Sequence, residues 1–368
     1  MALWPTMRQR ILRMSTLCGC LLSGFLTSYP SCGIVFLRFQ SNVPKLPTKG
    51  GLELSQLGVG TWQWGNKLLW GYDTSDDDNL AKVFKSFVDR GANWFDTGDS
   101  YGTGELEGRA ETLLGRFSRA ESERGGARVI IATKLAAYPW RLTPESMVDA
   151  VKASNKRIGR PVDIAQMHWS PRSYGFLFQE DSLIEGLCRC YENGLCRAVG
   201  LSNFGPKNLR RVARDLEARG VPLVLNQVQY SLLSVERESG VAEVCKELGI
   251  CLVAYSPLCL GVLAGKYTNK KGETRMPRNL LRSFLFSSLL ADKGTQNLLG
   301  VLKEIGGCRG KTMAQVALNF ALTEGGGCAV VGARNVAQAE ENLGACGWAL
   351  DAGELHALSR AARNAPKT

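Results

Sequence analysis

Asn93-Trp94-Phe95-Asp96-Thr97-Gly98-Asp99-Ser100-Tyr101-Gly102 sets a short apolar run ahead of a carboxylate, and the same arrangement returns twice downstream. Arg128-Val129-Ile130-Ile131-Ala132-Thr133-Lys134 ends on an ammonium, and Asp163-Ile164-Ala165-Gln166-Met167-His168-Trp169 ends on an imidazole. Brief continuous apolar runs bounded by polar residues suit strands buried on both faces. Working outward, further runs at 57–61, 198–202, 223–227, 251–254 and 329–332 join those at 94–96, 129–133 and 164–168 to make eight. Leu80, Val83, Phe84, Phe87 and Val88 follow the spacing of an amphipathic helix, as do Leu209, Val212, Ala213 and Leu216, and again Val241, Val244, Cys245 and Leu248. Ser75 before three acids, and Thr143 before Pro144, read as helix N-caps. Strands alternating with helices predict an α/β chain built as a (β/α)8 TIM barrel.

The seventh and eighth strands stand roughly twice the usual interval apart. Part of that interval, 266–282, is rich in Lys, Arg, Asn and Gly and is expected to be a long surface loop. A helical segment at 336–343 and a polar stretch after Asp351 predict extra C-terminal helices beyond the minimal barrel.

In a parallel barrel the C-terminal ends of the strands meet at one rim, where enzymes of this architecture do their chemistry. Asp96, Tyr101, Lys134 and His168 would therefore converge. Reduction of a carbonyl needs such a set, because hydride arriving at carbon pushes charge onto an oxygen that must meet a proton and hydrogen-bond donors. Tyr101 is the proton donor in this reading. A phenol releases its proton reluctantly near neutrality, so a cation beside it is needed, and Lys134 supplies one. Asp96 would keep a buried Lys134 charged, and His168 would orient the carbonyl oxygen. Taken singly, each residue has an ordinary structural explanation; their placement on three successive strands is what points to chemistry.

The motifs F-D-T-G-D-S-Y-G, A-T-K, Q-M-H-W, G-L-S-N-F, N-Q-V-Q-Y-S, A-Y-S-P-L and V-G-A-R-N-x-x-Q-A-E-E-N, in register from about Gly58 to about Leu350, resemble the aldo-keto reductases. The resemblance implies a (β/α)8 barrel, an NADP(H) cofactor and a catalytic tetrad of Asp96, Tyr101, Lys134 and His168. It further implies that Ser202, Asn203 and Gln227 hold the nicotinamide carboxamide, that Tyr255 stacks beneath the ring with Ser256 and Leu258 alongside, and that Gln338, Glu341 and Asn342 approach the adenine. Within the superfamily the chain looks most like the plastid-targeted branch of plants and algae. Gly98, Asp99 and Cys259 depart from the residues common at their positions, which bears on the substrate more than on the reaction type.

The residues themselves also speak to the cofactor. Gly58-Val59-Gly60 is followed by Thr61-Trp62-Gln63, so the third glycine of a doubly wound dinucleotide fold is missing and these read as strand glycines. Tyr101 and Lys134 are too far apart to share one helix turn, which excludes the short-chain dehydrogenase pattern. Gly332 and Ala333 lead into a helix whose N–H groups suit a phosphate, and Arg334 offers a planar fork for a ribose 2′-phosphate, so NADP is expected over NAD. Trp62, Trp64, Tyr138, Trp140 and Trp169 are expected to wall an apolar pocket for a small-molecule aldehyde or ketone.

At 368 residues the chain exceeds the about 250 that a barrel typically takes. Residues 1–50 carry six positive charges and no acid, more than half of the net +11, and are read as a targeting leader ahead of a barrel domain at 51–368. The leader also holds an apolar run at 17–26, too short to span a bilayer. Together these features suit a chloroplast or plastid transit peptide, with an endomembrane signal joined ahead of it to explain the apolar run, and with mitochondrion or secretory pathway as alternatives. The +5 left to the barrel gives no support to a nucleic-acid role, and no stable membrane insertion is expected. Twelve cysteines without a C-x-x-C spacing suit a reducing compartment and no metal site. A monomer is expected. Two other readings stay open: a nucleotide-binding regulatory or redox-sensing barrel subunit with little turnover, and an aldolase using Lys134 as a Schiff base.

Overall fold

The computed structural model describes residues 43–234, 240–267 and 280–367. The apolar run at 17–26 and most of the expected 266–282 loop lie outside the described residues, and the last residues of that loop open a helix, Leu280–Ala291.

A hairpin comes first. Strands β1 (Lys45–Pro47) and β2 (Glu53–Ser55) pair antiparallel, with Leu46 opposite Leu54. Eight parallel strands follow: β3 (Leu57–Gly60), β4 (Trp94–Gly98), β5 (Ile130–Leu135), β6 (Val162–Met167), β7 (Cys196–Ser202), β8 (Leu223–Gln229), β9 (Cys251–Tyr255) and β10 (Cys328–Val331). They close into a barrel in chain order, β10 pairing with both β3 and β9. All eight expected strands are present, with bounds that move by a few residues at most.

The hairpin crosses residue 50, with β1 before it and β2 after it. Val43, Leu52 and Leu54 are buried, so the folded unit already includes residues 43–50. Leu52 and Leu54 join Trp94, Ala132, Ile164, Ala198, Leu225 and Val253 in one apolar cluster that fills the barrel and seals its N-terminal end. Trp94 donates its indole N–H to the Ser55 carbonyl at 2.8 Å. Its ring lies so close to β3 that a Cβ on Gly58 would stand 2.2 Å from it, which is why a glycine occupies that strand position.

A second core lies between strands and helices. Helix Asp77–Asp89 buries Leu80, Val83, Phe84 and Phe87, and Phe84 stacks on Phe95 of β4 with ring centroids 4.6 Å apart. Burying a side chain of that size contributes about 1.5–3 kcal/mol. Thr143 caps helix Pro144–Ile158 in a reciprocal capping box with Ser146, as the Thr-Pro order predicts. Ser75 is not a cap; Asp73 accepts from Ser75 N and exchanges bonds with Asp76, because a carboxylate is the stronger acceptor in this short 3-10 turn.

The wide interval between β9 and β10 contains more than loop. Beyond Leu280–Ala291 it holds helices Lys293–Arg309 and Met313–Glu324, and the C-terminal helix Ala352–Arg363 packs on the first of these. No helix among the described residues is long and apolar enough to cross a membrane.

Candidate active site

Strand register brings the four polar residues together. Gly98 of β4 lies beside Lys134 of β5, and Lys134 beside Gln166 of β6, so three adjacent strands end at the same level. Asp96 is on β4, one residue pair below. His168 follows β6, its N–H donating to the Leu135 carbonyl at 3.0 Å. Tyr101 sits on the turn after β4, closed by its N–H bond to the Gly98 carbonyl at 3.1 Å. Gly98 gives the phenol ring its seat: an added Cβ would lie 3.1 Å from two ring carbons.

Lys134 Nζ donates to Asp96 Oδ2 and to Tyr101 Oη, the latter at 3.1 Å. The other Asp96 oxygen accepts from Gln227 Nε2 at 2.9 Å and Gln166 Nε2 at 3.2 Å. The carboxylate is thus held by one cation and two amides with little contact to water. Burial works against the Lys134 ammonium, but Asp96 and then Tyr101 overcome it and raise the pKa above the ordinary lysine value. A Schiff base needs a neutral amine, so the aldolase reading loses its nucleophile.

Tyr101 corrects one expectation. Lys134 pulls its pKa down, but burial pushes harder, and the phenol ends above its ordinary value. The ammonium limits the rise and does not make the phenol acidic. A group held protonated at neutral pH is suited to give a proton. The His168 ring stands edge-on to Tyr101, with centroids 5.9 Å apart. Burial, then the nearby Lys134 charge, lowers its pKa to about 3, so it is a neutral imidazole, and its Nδ1 finds no partner among the described residues.

These groups open into a cavity of about 430 Å³. Ser202, Asn203, Gln227, Tyr255, Ser256, Leu258, Gly332 and Gln338 line it together with the four. Asn203, with φ 60°, donates to the His168 carbonyl at 3.3 Å and accepts from Tyr255 Oη at 3.0 Å, linking the ends of β6, β7 and β9. Arg334 and Glu341 do not line the cavity. Arg334 borders an adjoining depression with Gln63, Trp70 and Asn79. Asn342 is buried and donates to the Gly332 carbonyl at 3.3 Å, bracing the end of β10.

The expected aromatic wall is only partly present. Trp62 lines the cavity, whereas Trp64 is fully buried against Phe117 and belongs to the core. Trp169 packs on His168, and Tyr138 and Trp140 stack on each other outside the cavity lining, the latter largely exposed. Trp70, Gln63 and Ser100 line the cavity and were not anticipated. Nor was Gln166, although Q-M-H-W places it one side-chain alternation before His168, which was the available signal.

The pattern described as the aldo/keto reductase family matches residues 56–363. A chloroplastic pyridoxal reductase from Arabidopsis thaliana is 47% identical over 323 residues, 87% of this chain and 86% of its own. The chain belongs to the aldo/keto reductase family. It is an NADP(H)-dependent oxidoreductase of that family, built for carbonyl reduction. Among solved structures, the glycerol dehydrogenase from Gluconobacter oxydans aligns with a TM-score of 0.74 at 25% identity, covering 90% of this chain and 98% of its own. An aldo-keto reductase complexed with NADPH shares the fold, with a TM-score of 0.64 at 22% identity over 87% of this chain and 88% of its own.

The residues present fit a dinucleotide. The cavity runs from the tetrad to the end of β10, where Gly332 leaves its backbone open and a Cβ would press on the Gln63 amide, 2.8 Å away. Beyond it, helix Val336–Leu343 begins just after Arg334 with Asn335 as cap, its side chain accepting from Gln338 N.

Proposed function

We propose that this reductase converts an aldehyde of the pyridoxal kind to its alcohol, with Tyr101 as the proton donor. The observation that carries this reading is the buried Asp96–Lys134 pair, whose ammonium stands 3.1 Å from the Tyr101 hydroxyl where it opens into the cavity. NADPH, when bound, supplies the hydride. Ser202, Asn203 and Gln227 would hold its carboxamide end, Tyr255, Ser256 and Leu258 would flank it, and Gly332, Arg334, Gln338, Glu341 and Asn342 would serve its phosphate and adenine end.

The chain's own groups do the rest. Tyr101 Oη passes its proton to the carbonyl oxygen as negative charge grows there, and the Lys134 ammonium stabilises the phenolate left behind. Asp96 keeps that ammonium charged through the cycle. His168, neutral, offers a hydrogen bond that fixes the oxygen without competing as an acid. The 47% identity to a pyridoxal reductase supports the substrate class. That relative is chloroplastic, and together with the acid-free leader this supports a plastid destination, which sequencing the mature N-terminus from the organelle tests.

A spectrophotometric screen of NADPH oxidation against pyridoxal and a panel of aldehydes tests the main reading. Turnover with pyridoxal, lost in Tyr101→Phe, is the expected result. An active Tyr101→Phe would end the assignment of the acid, and turnover of other aldehydes alone would end that of the substrate.

A further inference from the structure

Asp99 is a second buried carboxylate at the rim, two residues from Tyr101 and outside the tetrad. Its side chain is 7% exposed. One oxygen accepts from Arg141 Nη1 at 2.9 Å and the other from the Ala136 N–H at 3.1 Å. Arg141, itself 13% exposed, also donates to the Ala136 carbonyl at 2.6 Å and lays its guanidinium over the Tyr138 ring, 5.4 Å from the centroid. The Asp99 N–H donates to the Lys134 carbonyl at 2.9 Å. Gln179 clamps the same segment from the other side, bonding the Tyr138 and Arg141 carbonyls. The turn that carries the phenol is therefore fastened, by a paired charge, to the segment that follows the lysine.

We propose that the Asp99–Arg141 ion pair is the positioning element of Tyr101: it fixes the turn and sets, from behind, the charge against which the phenol gains or loses its proton. The inference rests on the reading of Tyr101 as proton donor. The charged and titratable groups around the phenol are Asp96 from β4, Lys134 from β5, His168 beyond β6 and, on its own turn, Asp99; Tyr255 and Lys266 line the same cavity. The Asp99 charge opposes the phenolate and so lifts the Tyr101 pKa. Burial leaves the Asp99 carboxyl above its ordinary pKa, and Arg141 limits that rise while cancelling part of the charge. A pair that only stiffened the rim would respond alike to loss of either member. One that also sets the phenol's proton affinity responds with opposite signs.

The test is an ultraviolet tyrosinate titration of the full-length protein. Each variant is read as the difference from the same variant carrying Tyr101→Phe, and the alkaline limb of kcat/KM for pyridoxal reduction is followed alongside. Asp99→Asn should lower the midpoint and Arg141→Met raise it, each by about half a pH unit or more. Arg141→Lys should restore the wild-type value. Arg141→Gln carries the same test if the Met variant does not fold. Midpoints that shift in the same direction, or that stay within about 0.2 unit, overturn the proposal. Opposed shifts in the variants that keep Tyr101, together with an active Tyr101→Phe enzyme, would sink the proton-donor reading while leaving the charge coupling intact, so the two failures are distinguishable.

Discussion

Replacing Lys134 with Met removes the cation from an ion pair whose two members are nearly inaccessible, at 3% and 4% exposure. Asp96 would keep only the two amide bonds from Gln166 and Gln227. Breaking one side of a buried pair costs about 3–5 kcal/mol, because the remaining charge stays desolvated. For a barrel of this size, with an unfolding entropy of about 2.1 cal/mol/K per residue, each kcal/mol is worth about 1.5 °C, so melting should fall by about 4–8 °C. The double variant Asp96→Asn/Lys134→Met removes the stranded charge and should recover at least half of that loss. Activity behaves differently. The phenol loses its 3.1 Å donor and the charge that stabilises its conjugate base, so turnover should drop about 10²–10⁴-fold in both variants. Thermal melts and NADPH-oxidation assays on the same preparations check the pair of outcomes. A double variant no more stable than the single one, or a Lys134→Met enzyme within tenfold of wild type, would refute the reasoning.

His168 gives a pH prediction. Its folded pKa of about 3 lies below the unfolded value of about 6.5, so below pH 6.5 the unfolded chain binds a proton that the folded one refuses. Stability should therefore fall with acid by about 1.4 kcal/mol per pH unit until the pH nears 3. Comparing denaturation free energies of wild type and His168→Gln across this window should show the smaller slope in the variant; equal slopes would count against a buried neutral imidazole. Arg334→Ala should raise the KM for NADPH about tenfold or more and leave that for NADH nearly unchanged, since charge-assisted bonds to phosphate are worth about 1.5–3 kcal/mol. Equal effects on both coenzymes would refute the 2′-phosphate role. Thr143→Ala breaks a capping box away from the cavity and should cost about 1 kcal/mol in chemical denaturation while leaving kcat alone.

The barrel and its rim were legible because buried parallel strands leave an unmistakable trace: continuous apolar runs that stop at a polar residue. Asp96, Lys134 and His168 each mark such a stop. Trp64 shows the limit of that reasoning. Two aromatic residues two positions apart carry no local sign of which faces the cavity and which faces the helices, and only packing against Phe117 decides it. The hairpin was missed because three-residue strands are too short to show alternation. Gln63 and Trp70 come from the loop after β3, where no periodicity exists to say that the chain turns back over the barrel mouth. That burial outweighs Lys134 at the Tyr101 phenol is a property of the folded site, whereas the lysine beside it is legible in the sequence.

The hairpin below the barrel also bounds how far the N-terminus can be trimmed. Its two short strands are the floor beneath Trp94, and their leucines complete the packing that the eight strands begin. A processing protease that cuts ahead of Val43 leaves that floor in place, whereas one that cuts past Leu54 would expose Trp94 and the apolar bottom of the barrel to water.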